Sequence, residues 1–280
     1  MNSYVPEKLG IIAGKGSYPL LLAESARQQG VRTIFALAFN GETERRIEQL
    51  ADRVEWVRLG QLGTAYAALQ ASGIPQFVMA GQITPTSLFN MRMDRELLAL
   101  LGRLRERNAH TIFGALTAEL SKRGIEMLPA SRFMEAHMPN PGLLTTRSPS
   151  PEQQADIELG MHVAKTTSSL EIGQTVALKN GTILAVEAFE GTDETIQRAG
   201  KLGGAGIVVV KVSKHGHDVR FDLPVIGERT LKALRKAQAA VLAVEAQRTI
   251  LLDRPALLAQ AEKQGLCMVA IDTQPLTSSH

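Results

Sequence analysis

The sequence predicts an α/β protein in two parts, an N-terminal parallel sheet with helices on both faces followed by a mixed α/β domain. Three observations lead there. The first third alternates apolar strand-like runs with amphipathic helical ones, the order that generates βαβ units. The stretch LPASRFMEAHMPNPGLLTTRSPSP then loses periodicity and gathers prolines, which marks a boundary. Beyond it, a pair of alternating runs flanks Lys179-Asn180-Gly181, the signature of an antiparallel hairpin inside a mixed sheet.

Taken in order, KLGIIAG reads as a strand and YPLLLAESARQQG as a helix. VRTIFALAF and ADRVEWVRLG read as strands, LGTAYAALQASG as a helix and QFVMAGQI as a strand. Two helical stretches follow, around Asp94 to Arg107 and Ile112 to Arg123. We place a first domain at 1–130, a linker at 131–150 and a second domain at 151–280. The second domain opens with a helix from about Glu152 and continues through the hairpin GQTVALKNGTILAVEAF. A helix after Asp193, the strand GIVVVKV, a helix from about Glu228, the runs AVLAVEA and RTILLD, and a last helix and strand complete it.

Composition narrows the function classes. The chain has 280 residues, 44% hydrophobic and 21% charged, with a net charge of +3 and interspersed signs. No basic stripe suited to a nucleic-acid backbone is present, so no nucleic-acid partner is expected. Cys267, in GLCMVAI, reads as a buried small hydrophobe in a reducing compartment. No apolar run approaches the roughly 20 residues that cross a bilayer, so a cytoplasmic protein is expected. Such a protein still acts on amphipathic substrates at a membrane surface.

Two glycine turns follow strands of the first domain. LGIIAG runs into Gly14-Lys15-Gly16-Ser17-Tyr18-Pro19 and then a helix. Free N–H groups and the helix dipole at such a turn favour a phosphate. The motif resembles a Rossmann fingerprint but is incomplete: Pro19 fills the third glycine position and no acidic residue ends VRTIFALAF. A nicotinamide oxidoreductase is therefore disfavoured, and an ordinary βα turn stands beside a nucleotide contact. Gly81-Gln82-Ile83-Thr84-Pro85 follows QFVMA at the same expected sheet edge, so Gly14, Gly16, Ser17 and Gly81 are candidate binding residues.

The second domain concentrates carboxylates. LAVEAFEGTDETIQR delivers Glu187 and Glu190, then turns through Gly191 and Thr192 into Asp193. Thr192 or Asp193 capping a helix accounts for this pattern. So does a Mg²⁺ site, since that ion takes one or two carboxylates plus water and substrate phosphates. In RFDLPVIGERT, Asp222 sits among Phe221, Leu223 and Pro224, where an unpartnered carboxylate is costly. It needs a metal, a cation or donors; Arg220, Arg229 or a helix cap would also serve. His215, His217 and Asp218 lack further ligands at zinc spacing. Lys211, closing GIVVVKV, offers a point charge to a phosphate.

In combination these segments are more specific. AGKGSYP, LTTRSP, EIGQTVALKNGTILAVEAFEGTDETIQRAG and RFDLPVIGERT followed by AVLAVEA and ILLDRP resemble the UDP-2,3-diacylglucosamine pyrophosphatase family called LpxI, in order and over nearly the whole chain. The resemblance implies a Rossmann-like N-terminal domain and a mixed α/β catalytic domain. It also implies a homodimer binding substrate between its domains, and Mg²⁺-dependent attack on the α-phosphorus of UDP-2,3-diacylglucosamine. The products would be UMP and 2,3-diacylglucosamine 1-phosphate, a lipid A precursor, with at most peripheral membrane contact through the lipid substrate. The family's catalytic aspartate falls on Asp222 through FDLP. Chemistry, added to the matching EGTD motif, suggests metal roles for Glu190 and Asp193 alongside Asp222, and a phosphate role for Thr192. Two positions depart from the family pattern: Glu171 replaces the usual aspartate before IGQ, and Gln82 replaces a lysine. The alternative reading is a non-catalytic nucleotide or sugar-nucleotide sensor.

Overall fold

The structure, a computed structural model, describes residues 4–83, 92–106, 108–214, 220 and 223–273. Its two compact units divide between Met134 and Glu135. In the first unit the elements are β1 (Lys8–Ala13), α1 (Tyr18–Gln28), β2 (Thr33–Phe39), β3 (Arg53–Val57), α2 (Leu62–Ala71), β4 (Gln76–Ala80), α3 (Arg95–Gly102), α4 (Ala109–Lys122) and β5 (Glu126–Met127). All five strands are parallel, in the order β3-β2-β1-β4-β5.

The parallel sheet follows from the sequence. Central strands covered on both faces need continuous apolar runs, and every residue of β2 after Thr33 is buried. Helix α1 buries Tyr18, Leu22 and Ala26, a single stripe at four-residue spacing, with Pro19 tolerated in its first turn. Helix α3 ends at Gly102, short of the expected Arg107, consistent with glycine's poor helix propensity. Helix α4 starts at Ala109, ahead of the expected Ile112, because the Asn108 side chain accepts from Thr111 N–H as an N-cap. The strand order reverses at β1, so the crevice between the carboxyl ends of β1 and β4 is the topological switch point.

The second unit contains β6 (Gly142–Leu143), α5 (Pro151–Ser169), β7 (Thr175–Lys179), β8 (Thr182–Val186), α6 (Thr192–Gly203), β9 (Val208–Lys211), β10 (Val225–Ile226), α7 (Glu228–Lys236), β11 (Val241–Glu245), β12 (Ile250–Leu251), α8 (Arg254–Lys263) and β13 (Cys267–Ile271). Its six-stranded sheet runs β6-β13-β11-β9-β7-β8. Strands β9, β11 and β13 are parallel, while β7 runs antiparallel to β8 and β9. The RTILLD run supplies only β12, which pairs with β10 outside the main sheet.

Asn180 and Gly181 both have positive φ, at 51° and 74°, as a tight hairpin turn joining β7 and β8 requires. Helix α5 starts at a capping box in which Ser150 and Gln153 satisfy each other's backbone N–H groups. Alternation then divides the core between the two sheet faces. Val209, Leu242, Val244 and Met268 pack with Ile196, Leu231 and Leu257 from α6, α7 and α8. Val208, Val210, Val241 and Cys267 pack with Ile157, Met161 and Ala164 from α5. Each such fully buried Val, Leu or Ile side chain contributes about 1.5–3 kcal/mol. Burial also pushes the Cys267 thiol up, which keeps it an inert core group.

Candidate functional site

At the switch point of the first unit, the two glycine turns close on each other. Gly14 N–H donates to Ala80 O at 2.7 Å, Lys15 N–H to Gln82 O at 2.8 Å and Gln82 N–H to Lys15 O at 3.1 Å. A Cβ on Gly14 would stand 2.8 Å from Gln82 O, and one on Gly81 would stand 2.8 Å from Lys15 O. Gly14 and Gly81 are thus glycines because two backbones meet there. Gly16, at φ 91°, has open space where a Cβ would lie, and Ser17 precedes α1 without a side-chain cap. Lys15 and Ser17 are exposed and Gly16 is half-buried, so these residues are the outward part of the turn.

The second unit gathers polar groups at the carboxyl edge of its parallel strands, where ligands of open α/β sheets bind. Lys211 ends β9 and lies opposite Thr175 of β7, and Thr175 O accepts from Glu187 N–H at 2.8 Å. Gly173 allows this crossing, since a Cβ there would sit 2.1 Å from Glu187 O. Gly191, at φ 85°, is the N-cap position of α6 and makes no side-chain cap. Thr192 and Asp193 stand inside the helix rather than capping it. The Thr192 hydroxyl turns away, donating to Glu187 Oε1 at 2.9 Å and accepting from Lys211 Nζ at 2.9 Å.

The carboxylates on the turn already have cationic partners. Glu190 Oε1 meets Arg198 Nη2 at 2.6 Å and accepts from Thr195 Oγ1 at 3.2 Å, while Oε2 accepts from Ala188 N–H at 3.2 Å. Burial alone would raise the Glu190 carboxyl, but hydrogen bonds, led by that from Arg198, hold it below the usual range. Asp193 Oδ2 meets Arg229 Nη2 at 3.2 Å. Among the described residues no group of three or more His, Cys, Asp or Glu is arranged to hold a metal. Each arginine occupies one oxygen of its carboxylate, so an ion held by Glu190 and Asp193 would share them with a cation. Asp222, together with the His215, His217 and Asp218 set, lies outside the described residues.

Composition and spacing did not reveal a second polar cluster at this edge. Glu245, the last residue of β11, is 0% exposed. It accepts from Lys165 Nζ at 2.6 Å, Ser213 Oγ at 2.7 Å, Ser213 N–H and Thr273 Oγ1. Burial would raise the Glu245 carboxyl, yet these donors and the Lys165 charge hold it below the usual range. Desolvation lowers Lys165 despite this pairing. Beside this cluster, buried Lys214 pairs with Glu171, which adopts the left-handed region at φ 61°. That backbone is uncommon for a glutamate. The only sequence signal for this cluster was a glutamate closing the otherwise apolar run AVLAVE.

Chemically, the edge presents the Lys211 ammonium, anchored on Thr192 with further N–H donors to spare, an arrangement suited to an oxyanion. Family models and a relative match nearly the whole chain. The LpxI N-terminal domain model matches residues 8–137 and the LpxI C-terminal domain model residues 140–269. A Caulobacter vibrioides protein named UDP-2,3-diacylglucosamine pyrophosphatase LpxI is 31% identical, covering 95% of this chain and 98% of that relative. Among solved structures, the biotin carboxylase domain of Hydrogenobacter thermophilus 2-oxoglutarate carboxylase matches 71% of this chain and 41% of its own, at 13% identity and a TM-score of 0.28. So weak a likeness carries no argument about this protein. Two family models in the right order and a full-length relative do: the chain belongs to the LpxI family.

Proposed function

We propose that this protein hydrolyses the pyrophosphate of UDP-2,3-diacylglucosamine to UMP and 2,3-diacylglucosamine 1-phosphate, a step of lipid A biosynthesis. The observation that carries the reading is the full-length relative of that name. A water oxygen forms a bond to the α-phosphorus and the bond from that phosphorus to the bridging oxygen breaks. The bridging oxygen leaves on the sugar 1-phosphate, and the water loses its proton.

Such a reaction asks the protein for neutralised phosphate oxygens and an oriented water. Lys211 supplies the first through donors not used on Thr192. Asp222 orients the water or accepts its proton, a role taken from the family's FDLP motif. Gly16 and Ser17, with Gly14 and Gly81 shaping the turn, are the proposed nucleotide contacts. The family resemblance adds Mg²⁺ against the charged diphosphate and a homodimer, and the reading includes a cytoplasmic location with peripheral membrane contact through the lipid substrate. No helix among the described residues is long and apolar enough to cross a membrane.

The test is UMP release from purified UDP-2,3-diacylglucosamine, with and without EDTA and with Asp222→Ala. We expect turnover that EDTA abolishes and Mg²⁺ restores. A folded Asp222→Ala variant should lose at least about 100-fold in rate. Binding without turnover in the wild type would overturn the hydrolase in favour of a sensor.

A further inference from the structure

We infer that Glu187 is a positioning residue for Lys211, acting through the Thr192 hydroxyl. The inference rests on the proposed diphosphate-cleaving site and gives a specific role to Glu187, which the sequence placed only in a general acidic segment. Three side chains from successive parts of the edge form one chain: Lys211 Nζ to Thr192 Oγ1 at 2.9 Å, and Thr192 Oγ1 to Glu187 Oε1 at 2.9 Å.

Its direction is set by chemistry. An ammonium has donors and no lone pair, an ionised carboxylate has lone pairs and no donor, and a hydroxyl has a single proton. The Thr192 proton therefore points to Glu187, and its lone pairs are left for Lys211. Thr175 Oγ1, 3.5 Å from Thr192 Oγ1, lies on the same oxygen, which leaves little room for another donor. Removing the carboxylate charge frees the hydroxyl to turn its proton elsewhere, and the ammonium then loses a fixed acceptor.

A second feature points to the charge as well as to the acceptor for Thr192. Glu187 Oε2 is buried and has no hydrogen-bond partner among the described residues. A carboxylate with an unsatisfied buried oxygen is costly, and a glutamine there would bring an NH₂ donor that competes for the Thr192 lone pairs. The nearby cation offsets that cost, and in return Lys211 is held at the end of β9 with its remaining N–H donors available to an anion.

The test uses the full-length protein. Its first readout needs no ligand: the side-chain ammonium signal of Lys211 in ¹⁵N-lysine spectra. Wild type and Thr192→Ser should show a slowly exchanging signal, and Thr192→Val and Glu187→Gln should lose it. The second readout is KM for UDP-2,3-diacylglucosamine, together with calorimetric binding of inorganic pyrophosphate. Thr192→Val and Glu187→Gln should each weaken binding about 10-fold, with Thr192→Ser restoring it. Neither should add to the loss in a Lys211→Met background, the mark of residues acting as one unit.

An unchanged Lys211 signal in both variants, or additive losses in the double variants, would overturn the inference. Pyrophosphate binding coupled in this way in a protein that does not turn over UDP-2,3-diacylglucosamine would retain the inference and reject the proposed reaction.

Discussion

Truncating Glu245 should cost more stability than any exposed charge substitution in the second unit. Glu245→Ala removes the carboxylate from a fully buried position and strands its donors. Ser213 loses the acceptor for its N–H and its hydroxyl, and Lys165 keeps the Ser213 carbonyl at 2.7 Å. Breaking a buried ion pair from one side costs about 3–5 kcal/mol. The Lys165 side chain is 21% exposed and retains that carbonyl, so the lower end applies, about 3 kcal/mol. For a unit of this size that is a fall in Tm of about 6–12 °C. Urea unfolding with hydrogen exchange at β11 gives the local readout. Glu245→Leu combined with Lys165→Met removes both charges, and should recover to within about 1.5 kcal/mol of wild type. A single variant within about 1 kcal/mol of wild type, or a double variant as unstable as the single, would refute the reasoning.

Two more expectations follow from the same geometry. Gly173→Ala places a Cβ 2.1 Å from Glu187 O and 2.6 Å from its carbonyl carbon, so a backbone must move. We expect a loss of about 1–3 kcal/mol and lower kcat/KM, while Gly114→Ala in α4, with nothing within 4 Å of the new Cβ, should be neutral or stabilise by up to about 1 kcal/mol. Comparing the two in thermal unfolding and UMP release checks the claim. In acid, the folded Glu245 carboxyl titrates below its unfolded value of 4.5. Its stabilisation is therefore complete above that pH and lost as pH falls through the lower folded value. Glu245→Gln should flatten this acid limb, and an unchanged limb would count against the pairing.

The arrangement of partners explains why the resemblance to LpxI reads clearly while residue roles do not. Glu190 and Asp193 read as metal ligands in the sequence because two carboxylates and a glycine turn lie within a few residues. Folding sets Arg198 one helical stretch away against the first and Arg229, from α7, against the second. The first contact joins Glu190, ahead of α6, to Arg198 inside it, eight residues on and outside the three- and four-residue spacing at which helix neighbours meet. The second depends on how α6 and α7 pack.

What the sequence determined by itself was local. The order of strands and helices, the Asn180-Gly181 hairpin, the Ser150 capping box and the glycine turns are all written within a few residues, because backbone hydrogen bonding, side-chain periodicity and positive φ act over that range. Tertiary structure decided what meets across distance. It joined Lys165 to Glu245 and Glu245 to Ser213 and Thr273 from four separate stretches. It laid the Gly14 and Gly81 turns back to back, and it put Thr192 between Glu187 and Lys211 instead of at a cap. The physical reason is that a buried polar group takes whichever donor or charge the packed sheet edge brings within about 3 Å, and that neighbour is chosen by strand order and register, to which no short window of sequence gives access.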